Sequence, residues 1–265
     1  MKAVITTFFA ASLCIAATVL TSFVQPNDES TMKNTNTDDV NSQGFAVVEL
    51  FTSEGCSSCP PADKLIAKVQ EENAGKPVYI LAFHVDYWDH QGWKDVFGNR
   101  DFTKRQYQYA SWLKLETVYT PQAVVNGKQE FVGSQEPTLR NAIASGLRTS
   151  SQASLTMEAK RDQNKITLNY QTKGTGNSAL LQLALVQKVA QTVVKRGENA
   201  GRLLPHVQIV RQIQTQQLGT NGAGDAEIML PGNFDPKGWE VIGFLQNKSN
   251  GEILAATKPE LKENV

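Results

Sequence analysis

Two cysteines two residues apart carry the sharpest chemical signal in the chain: Cys56-Ser57-Ser58-Cys59, followed at once by Pro60-Pro61-Ala62-Asp63. The third cysteine, Cys14, lies in an N-terminal apolar stretch. A scaffold stapled by disulfides needs more cysteines, spread more widely. One close pair points instead to thiol–disulfide chemistry or to half of a metal site. A structural zinc site takes four ligands, and no second pair completes one. A strand precedes the pair and a helix follows it. A helix start has unpaired backbone N–H groups and a partial positive charge, so a thiolate there is favoured and more nucleophile is present at neutral pH. Cys56 reads as the exposed attacking sulfur, and Cys59, one turn on, as the one that resolves the mixed disulfide. Pro60 and Pro61 suit a first helical turn but carry no N–H. They place the regular helix start near Cys59 and leave the size of the pKa drop at Cys56 open.

A second group of residues ends the next apolar run, Phe83-His84-Val85-Asp86-Tyr87-Trp88-Asp89-His90. Parallel strands joined by one helix finish at the same sheet edge, where ligands bind. His84 and Asp86 share a face if the strand persists. They are the candidate proton relay, one of them accepting the Cys59 proton or assisting its departure. The plainer reading has Asp86 capping a turn and pairing with His84. Trp88 and Trp93 offer an aromatic wall beside the cysteines, or core packing. Thr120-Pro121 directly precedes another short strand, where proline is tolerated. A trans bond is the commoner state, but the placement before two strands and a helix favours cis. Asp63 reads as a first-turn helix stabiliser, Glu54 as a solvated loop residue, and His206 as structural. A competing use of the same residues is a soft-metal site, copper or zinc, built from Cys56, Cys59 and His84.

These residues need a frame. Residues 45–51 form a short apolar run fit for a buried strand. Residues 64–72 carry Leu65, Ile66 and Val69 at helical spacing. Residues 78–85 form a second buried strand, 99–115 a helix, and 136–147 a last helix. Residues 122–125 and 130–132 make a hairpin around Asn126-Gly127. The first three elements imply parallel neighbours with a right-handed crossover. After Arg148 the pattern changes to strand formers at 153–159, 165–171, 179–189, 206–217, 225–230, 239–246 and 252–257. About seven strands without helices suggest a β-sandwich. The charged tail, 258–265, reads as loose. Between strands lies Arg196-Gly197-Glu198-Asn199-Ala200-Gly201-Arg202, a long loop whose arginines suit a carboxylate or a salt bridge between domains.

The Cys-x-x-Cys pair, Thr120-Pro121 and the element order together resemble the thioredoxin superfamily over residues 45–148. More closely, the strings 49–63, 83–89, 119–127 and 196–202 resemble a secreted, thioredoxin-like family, domain of unknown function 1223. The resemblance implies an α/β thioredoxin-like domain at 45–149 and extends over the second half, which its strand pattern makes an all-β sandwich-like domain at 150–258. It also implies Cys56 as nucleophile, Cys59 as resolving cysteine and Pro121 as a cis-proline beside them. Thr120 and Trp88 are expected to line a substrate groove. The expected partner is a protein or small-molecule thiol or disulfide client, with no cofactor. The chain departs from familiar thioredoxins at Gly55, where they carry tryptophan.

The rest of the chain sets the context. Its 26 basic and 26 acidic residues cancel, so bulk charge attracts neither nucleic acid nor an anionic membrane. Lys2 followed by an uncharged apolar stretch, 3–24, reads as a signal peptide or a membrane anchor. Residues 25–44 are polar and read as a disordered linker. The expected location is extracytoplasmic, in the periplasm or secreted. A binding module with a merely structural disulfide remains an alternative to exchange chemistry.

Overall fold

The computed structural model describes residues 44–175 and 178–263. The expected leader and nearly all of the expected linker lie outside the described residues. Among the described residues no helix is long and apolar enough to cross a membrane.

Strand β1 (Ala46–Thr52) is buried along its whole length, and its period of two gives each face a different neighbour. Ala46, Val48 and Leu50 pack with Leu65, Ile66 and Val69 of helix α1 (Pro60–Glu72) and with Leu139 and Ile143 of helix α3 (Glu136–Arg148). Val47 and Phe51 pack on the opposite side with Phe102 and Tyr109 of helix α2 (Arg100–Leu113). Strand β2 (Val78–His84) runs parallel to β1, with Thr52 opposite His84 at the end of the pair. Strands β3 (Gln122–Val125) and β4 (Gln129–Val132) form the expected hairpin, and β3 lies antiparallel to β1. Asn126 and Gly127 turn it with φ of 50° and 66°, the left-handed conformation this pair of residues accepts.

The second half is all strand: β5 (Ser154–Asp162), β6 (Lys165–Lys173), β7 (Ala179–Val193), β8 (Leu203–Gln217), β9 (Ala223–Met229), β10 (Trp239–Asn247), β11 (Ile253–Thr257) and β12 (Leu261–Glu263). They do not form a self-contained pair of sheets. One eight-stranded sheet, ordered β11-β10-β7-β8-β2-β1-β3-β4, crosses the boundary expected near residue 149; β5, β6, β9 and β12 form a second sheet. The join is a parallel contact of β2 with β8 at Ala82 and Ile209. β7 serves both cores by alternation: Leu181, Leu183 and Leu185 face the second sheet, while Ala184 and Val186 join Phe51, Phe83 and Phe102. Residues 149–150 therefore mark a change of element type that one of the hydrophobic cores crosses. The tail expected to be loose is partly held, since β12 pairs in parallel with β5.

Candidate functional site

Cys56 and Cys59 are joined by a disulfide in the turn between β1 and α1. The local backbone explains the turn. Cys56 N–H donates to Ser53 O and Cys59 N–H to Cys56 O, each at 3.2 Å, and Cys59 O then accepts from both Ala62 and Asp63. Cys59 thus caps α1, with Pro60 and Pro61 as its first residues. Their missing N–H groups fall where no intrahelical partner exists. Gly55 is required by space: a Cβ there would lie 2.9 Å from Cβ of Trp88. Neither cysteine has exposed surface, both at 0%, which corrects the expectation of an exposed Cys56. Ser57 and Ser58 are what the turn presents to solvent. The Ser58 hydroxyl lies 3.3 Å from Cys56 Sγ and 3.4 Å from Thr120 O. The Thr120–Pro121 bond is cis, and Thr120 Oγ1 accepts from Trp88 Nε1 at 2.8 Å.

Around this turn lies a buried cluster of acids and histidines: Glu54, His84, Asp95 and His206 are all enclosed, with Asp63 at its margin. His84 Nδ1 donates to Asp95 at 2.7 Å; the same carboxylate accepts from the Glu54 and Phe97 backbone N–H groups, each at 2.8 Å. Glu54 accepts from Trp93 Nε1 at 2.7 Å, and its other oxygen lies 3.3 Å from His206 Nε2. The His84 and His206 rings meet edge to face, 4.9 Å between centres. Asp63, His84 and His206 line one narrow cavity with Leu50, Ile66 and Ala82. Among the described residues, His84 Nε2 and His206 Nδ1 have no hydrogen-bond partner. Burial opposes a charge on His84, but Asp95, aided by Asp63 and Glu54, outweighs it and raises its pKa above the ordinary value. Burial acts against the Asp95 carboxylate too, yet His84 and the two backbone donors hold its pKa below the usual range. Burial lifts the pKa of Asp63 despite the nearby histidines and the Thr52 hydroxyl, which donates to it at 2.9 Å.

The loop between β7 and β8 completes the site from the second half. Asn199 is fully buried. Its side-chain amide donates to the carbonyls of Glu54 and Cys56, both at 2.9 Å, and Arg202 donates to its oxygen at 2.9 Å. Glu198 accepts from Ser57 N–H at 3.2 Å. The loop therefore holds the cysteine turn, rather than bridging two separate domains.

Several expected residues take other places. β2 ends at His84, so Asp86 does not share its face. Asp86 pairs with Thr103, whose hydroxyl donates to its carboxylate at 2.5 Å and accepts its N–H at 3.2 Å. The partner of His84 is Asp95. Glu54 is buried rather than solvated, and His206 belongs to the cluster. Among the described residues no three or more of His, Cys, Asp and Glu are arranged to hold a metal ion; Cys56, Cys59 and His84 do not form a ligand set. Asp95, Glu198 and Asn199 carried no individual signal in the sequence, although the 196–202 string marked the loop.

The profile described as "Protein of unknown function (DUF1223)" matches residues 47–246. The chain belongs to this family. The match covers the cysteine turn and the loop that grips it, so both lie inside one DUF1223 unit. A crystal structure of a protein from Agrobacterium tumefaciens is similar at 26% identity, covering 81% of this chain and 93% of that one, with a TM-score of 0.64. A domain of the outer membrane lipoprotein Omp28 from Porphyromonas gingivalis aligns at 14% identity over 43% of this chain and 92% of that one, with a TM-score of 0.30. No curated protein matches the chain.

Proposed function

We propose that this chain is an extracytoplasmic thiol–disulfide oxidoreductase whose Cys56–Cys59 pair exchanges with a thiol or disulfide client. The observation that carries this reading is the disulfide at the start of α1, set against a buried cluster that holds protonatable groups. The order β1-α1-β2, α2, β3-β4-α3 and the cis Thr120–Pro121 bond beside Ser58 support a thioredoxin-like reading of residues 45–149. The extracytoplasmic location rests on the apolar leader.

In the oxidised protein the exposed Ser57-Ser58 turn yields to admit a client thiolate, which attacks the otherwise enclosed Cys56 Sγ. The intramolecular S–S bond breaks, and Cys59 leaves as a thiolate that takes up a proton. A second client thiolate then attacks the client sulfur of the mixed disulfide and releases Cys56. The client loses two electrons and the pair gains them; the reverse sequence reduces a client disulfide. Cys59 is enclosed, so its proton must come from a group reachable within the protein. Asp63 and His84 both have raised pKa values, so each holds its proton to higher pH than its ordinary counterpart. Asp63 lies one helical turn after Cys59 and lines the same cavity as His84. Trp88 and Thr120, hydrogen-bonded to each other beside the turn, are the residues this reading sets against the client.

A purified-protein exchange assay tests this. Cys56→Ser abolishes turnover, and Cys59→Ser traps a mixed disulfide on Cys56. Unaltered exchange by Cys56→Ser would overturn the proposal. The complete enclosure of both sulfurs favours one competing reading, a structural disulfide in a binding module; that reading requires a pair that resists reduction.

A further inference from the structure

The loop between β7 and β8 touches the disulfide turn through a charge that the exchange cycle does not use. The loop is closed on itself: Val194 N–H donates to Arg202 O at 3.0 Å and Gly201 N–H to Val194 O at 2.8 Å. Asn199 then fixes it to the turn, and the Glu198 carboxylate meets Ser57 N–H, one residue after Cys56. Backbone N–H groups at this helix start are the natural stabilisers of a Cys56 thiolate. They are scarce here. Pro60 and Pro61 have none, Ala62 and Asp63 both donate to Cys59 O, and Cys59 N–H is taken by Cys56 O. A carboxylate occupies one of the few that remain.

We propose that Glu198 is a positioning residue that sets the thiol chemistry of Cys56, its carboxylate favouring the disulfide over the thiolate. This rests on the exchange reading of the pair. When a dithiol reduces the pair, the S–S bond breaks and the dithiol becomes a disulfide, supplying two electrons and losing two protons. One proton goes to Cys59, the other to solvent, and Cys56 emerges as a thiolate. That new negative charge forms next to the residue whose N–H is bound to Glu198. A like charge raises a thiol pKa, and an N–H aimed at Glu198 does not serve the sulfur. Other charged or titratable groups at the turn are Arg202, held on Asn199, then Glu54, and beyond it Asp63, His84, Asp95 and His206. Glu198 is exposed, and the hydrogen bonds that hold these groups do not run through it.

Glu198→Gln removes the charge and keeps an acceptor for Ser57 N–H. Its Cys56 pKa, read from the pH dependence of iodoacetamide alkylation of the reduced protein, falls by about half a unit for a partly screened charge. In a dithiothreitol equilibrium its disulfide becomes about threefold easier to reduce, about 15 mV at ~30 mV per tenfold for a two-electron couple. About 1 M salt, which shortens the screening length to about 3 Å, narrows the gap between variant and parent; a purely structural role would leave that gap unmoved. Glu198→Ala shifts both quantities in the same direction. An unchanged or raised Cys56 pKa in Glu198→Gln overturns the proposal. These readouts need only dithiothreitol and an alkylating reagent. A protein that shows the shift but exchanges with no client disulfide rejects the exchange reading and leaves the role of Glu198 standing.

Discussion

Two glutamates five residues apart, Glu49 and Glu54, are both fully buried, and their surroundings could hardly differ more. Glu49 lies on the α2 side of β1. Arg105 grips it with two N–H groups at 2.5 and 2.8 Å, and the Tyr109 hydroxyl donates to it at 2.5 Å. Gln246 of β10 accepts from Arg105 and donates to Tyr109 at 2.8 Å. The guanidinium also lies over the rings of Phe83, Tyr109 and Phe244. Burial opposes the Arg105 charge, but Glu49 outweighs it and raises the pKa; burial and Glu49 raise that of Tyr109. Arg105 and Tyr109 therefore keep their protons at any ordinary pH, and the network ties the first half of the chain to the second. Glu54 sits instead at the sheet edge beside the disulfide. Among the described residues Trp93 is the one hydrogen-bond donor to its carboxylate, and two histidines carry ring nitrogens that lack partners. Burial alone does not separate structure from chemistry. The separation comes from whether the polar atoms are all satisfied and whether the groups can change protonation near neutral pH.

The contrast can be broken most forcefully at Arg105. Arg105→Met leaves Glu49 buried without its counter-charge and is expected to cost about 3–5 kcal/mol in urea unfolding of the oxidised protein. Adding Glu49→Leu recovers most of that loss; a single variant that costs under about 1 kcal/mol contradicts the account. A smaller effect is expected at His84. Asp95 has a lowered pKa and stabilises the fold above its ordinary value of 3.8, losing that contribution as pH falls through the folded value. His84 has a raised pKa and contributes fully below 6.5, losing this as pH rises through its higher folded value. The pair is therefore strongest between these limits. Urea midpoints of the parent should fall on going from about pH 6 to about pH 9, and His84→Asn should flatten that part of the profile. An equally steep profile in the variant assigns the slope elsewhere.

The smallest stability change is expected at His206, whose ring makes no hydrogen bond among the described residues and meets the Glu54 carboxylate at 3.3 Å. His206→Phe should stay within about 1 kcal/mol of the parent while shifting the pH dependence of the exchange rate, because it removes a neighbour that lowers the Asp63 pKa. The reverse pattern, a large stability loss with an unchanged pH profile, makes His206 a core residue like Tyr109.

Local signals made the elements legible. The apolar run of residues 45–51, the spacing of Leu65, Ile66 and Val69, and the Asn126-Gly127 turn each encode their structure within a few residues. The site was legible only where it is local, in the cysteine pair and Thr120-Pro121. Asp95 reaches Glu54 across 41 positions and Asn199 across 145, and no periodicity encodes such contacts. The pairing of His84 with Asp86 failed for a local reason: β2 ends at His84, so the shared face that two-residue spacing implies does not exist. The enclosure of Cys56 followed from the same long-range packing. The join of β2 to β8 likewise rests on one register pair, too little to mark the sequence, which is why the halves read as separate domains.

The midpoint potential of the Cys56–Cys59 couple tests the central claim most directly. Oxidised protein equilibrated in dithiothreitol redox buffers, quenched and alkylated, reports the fraction carrying two free thiols. An exchange pair predicts a midpoint between about −270 and about −120 mV, the span of known exchangers. A pair that stays oxidised until the buffer is poised below about −300 mV behaves as a structural disulfide and contradicts the account.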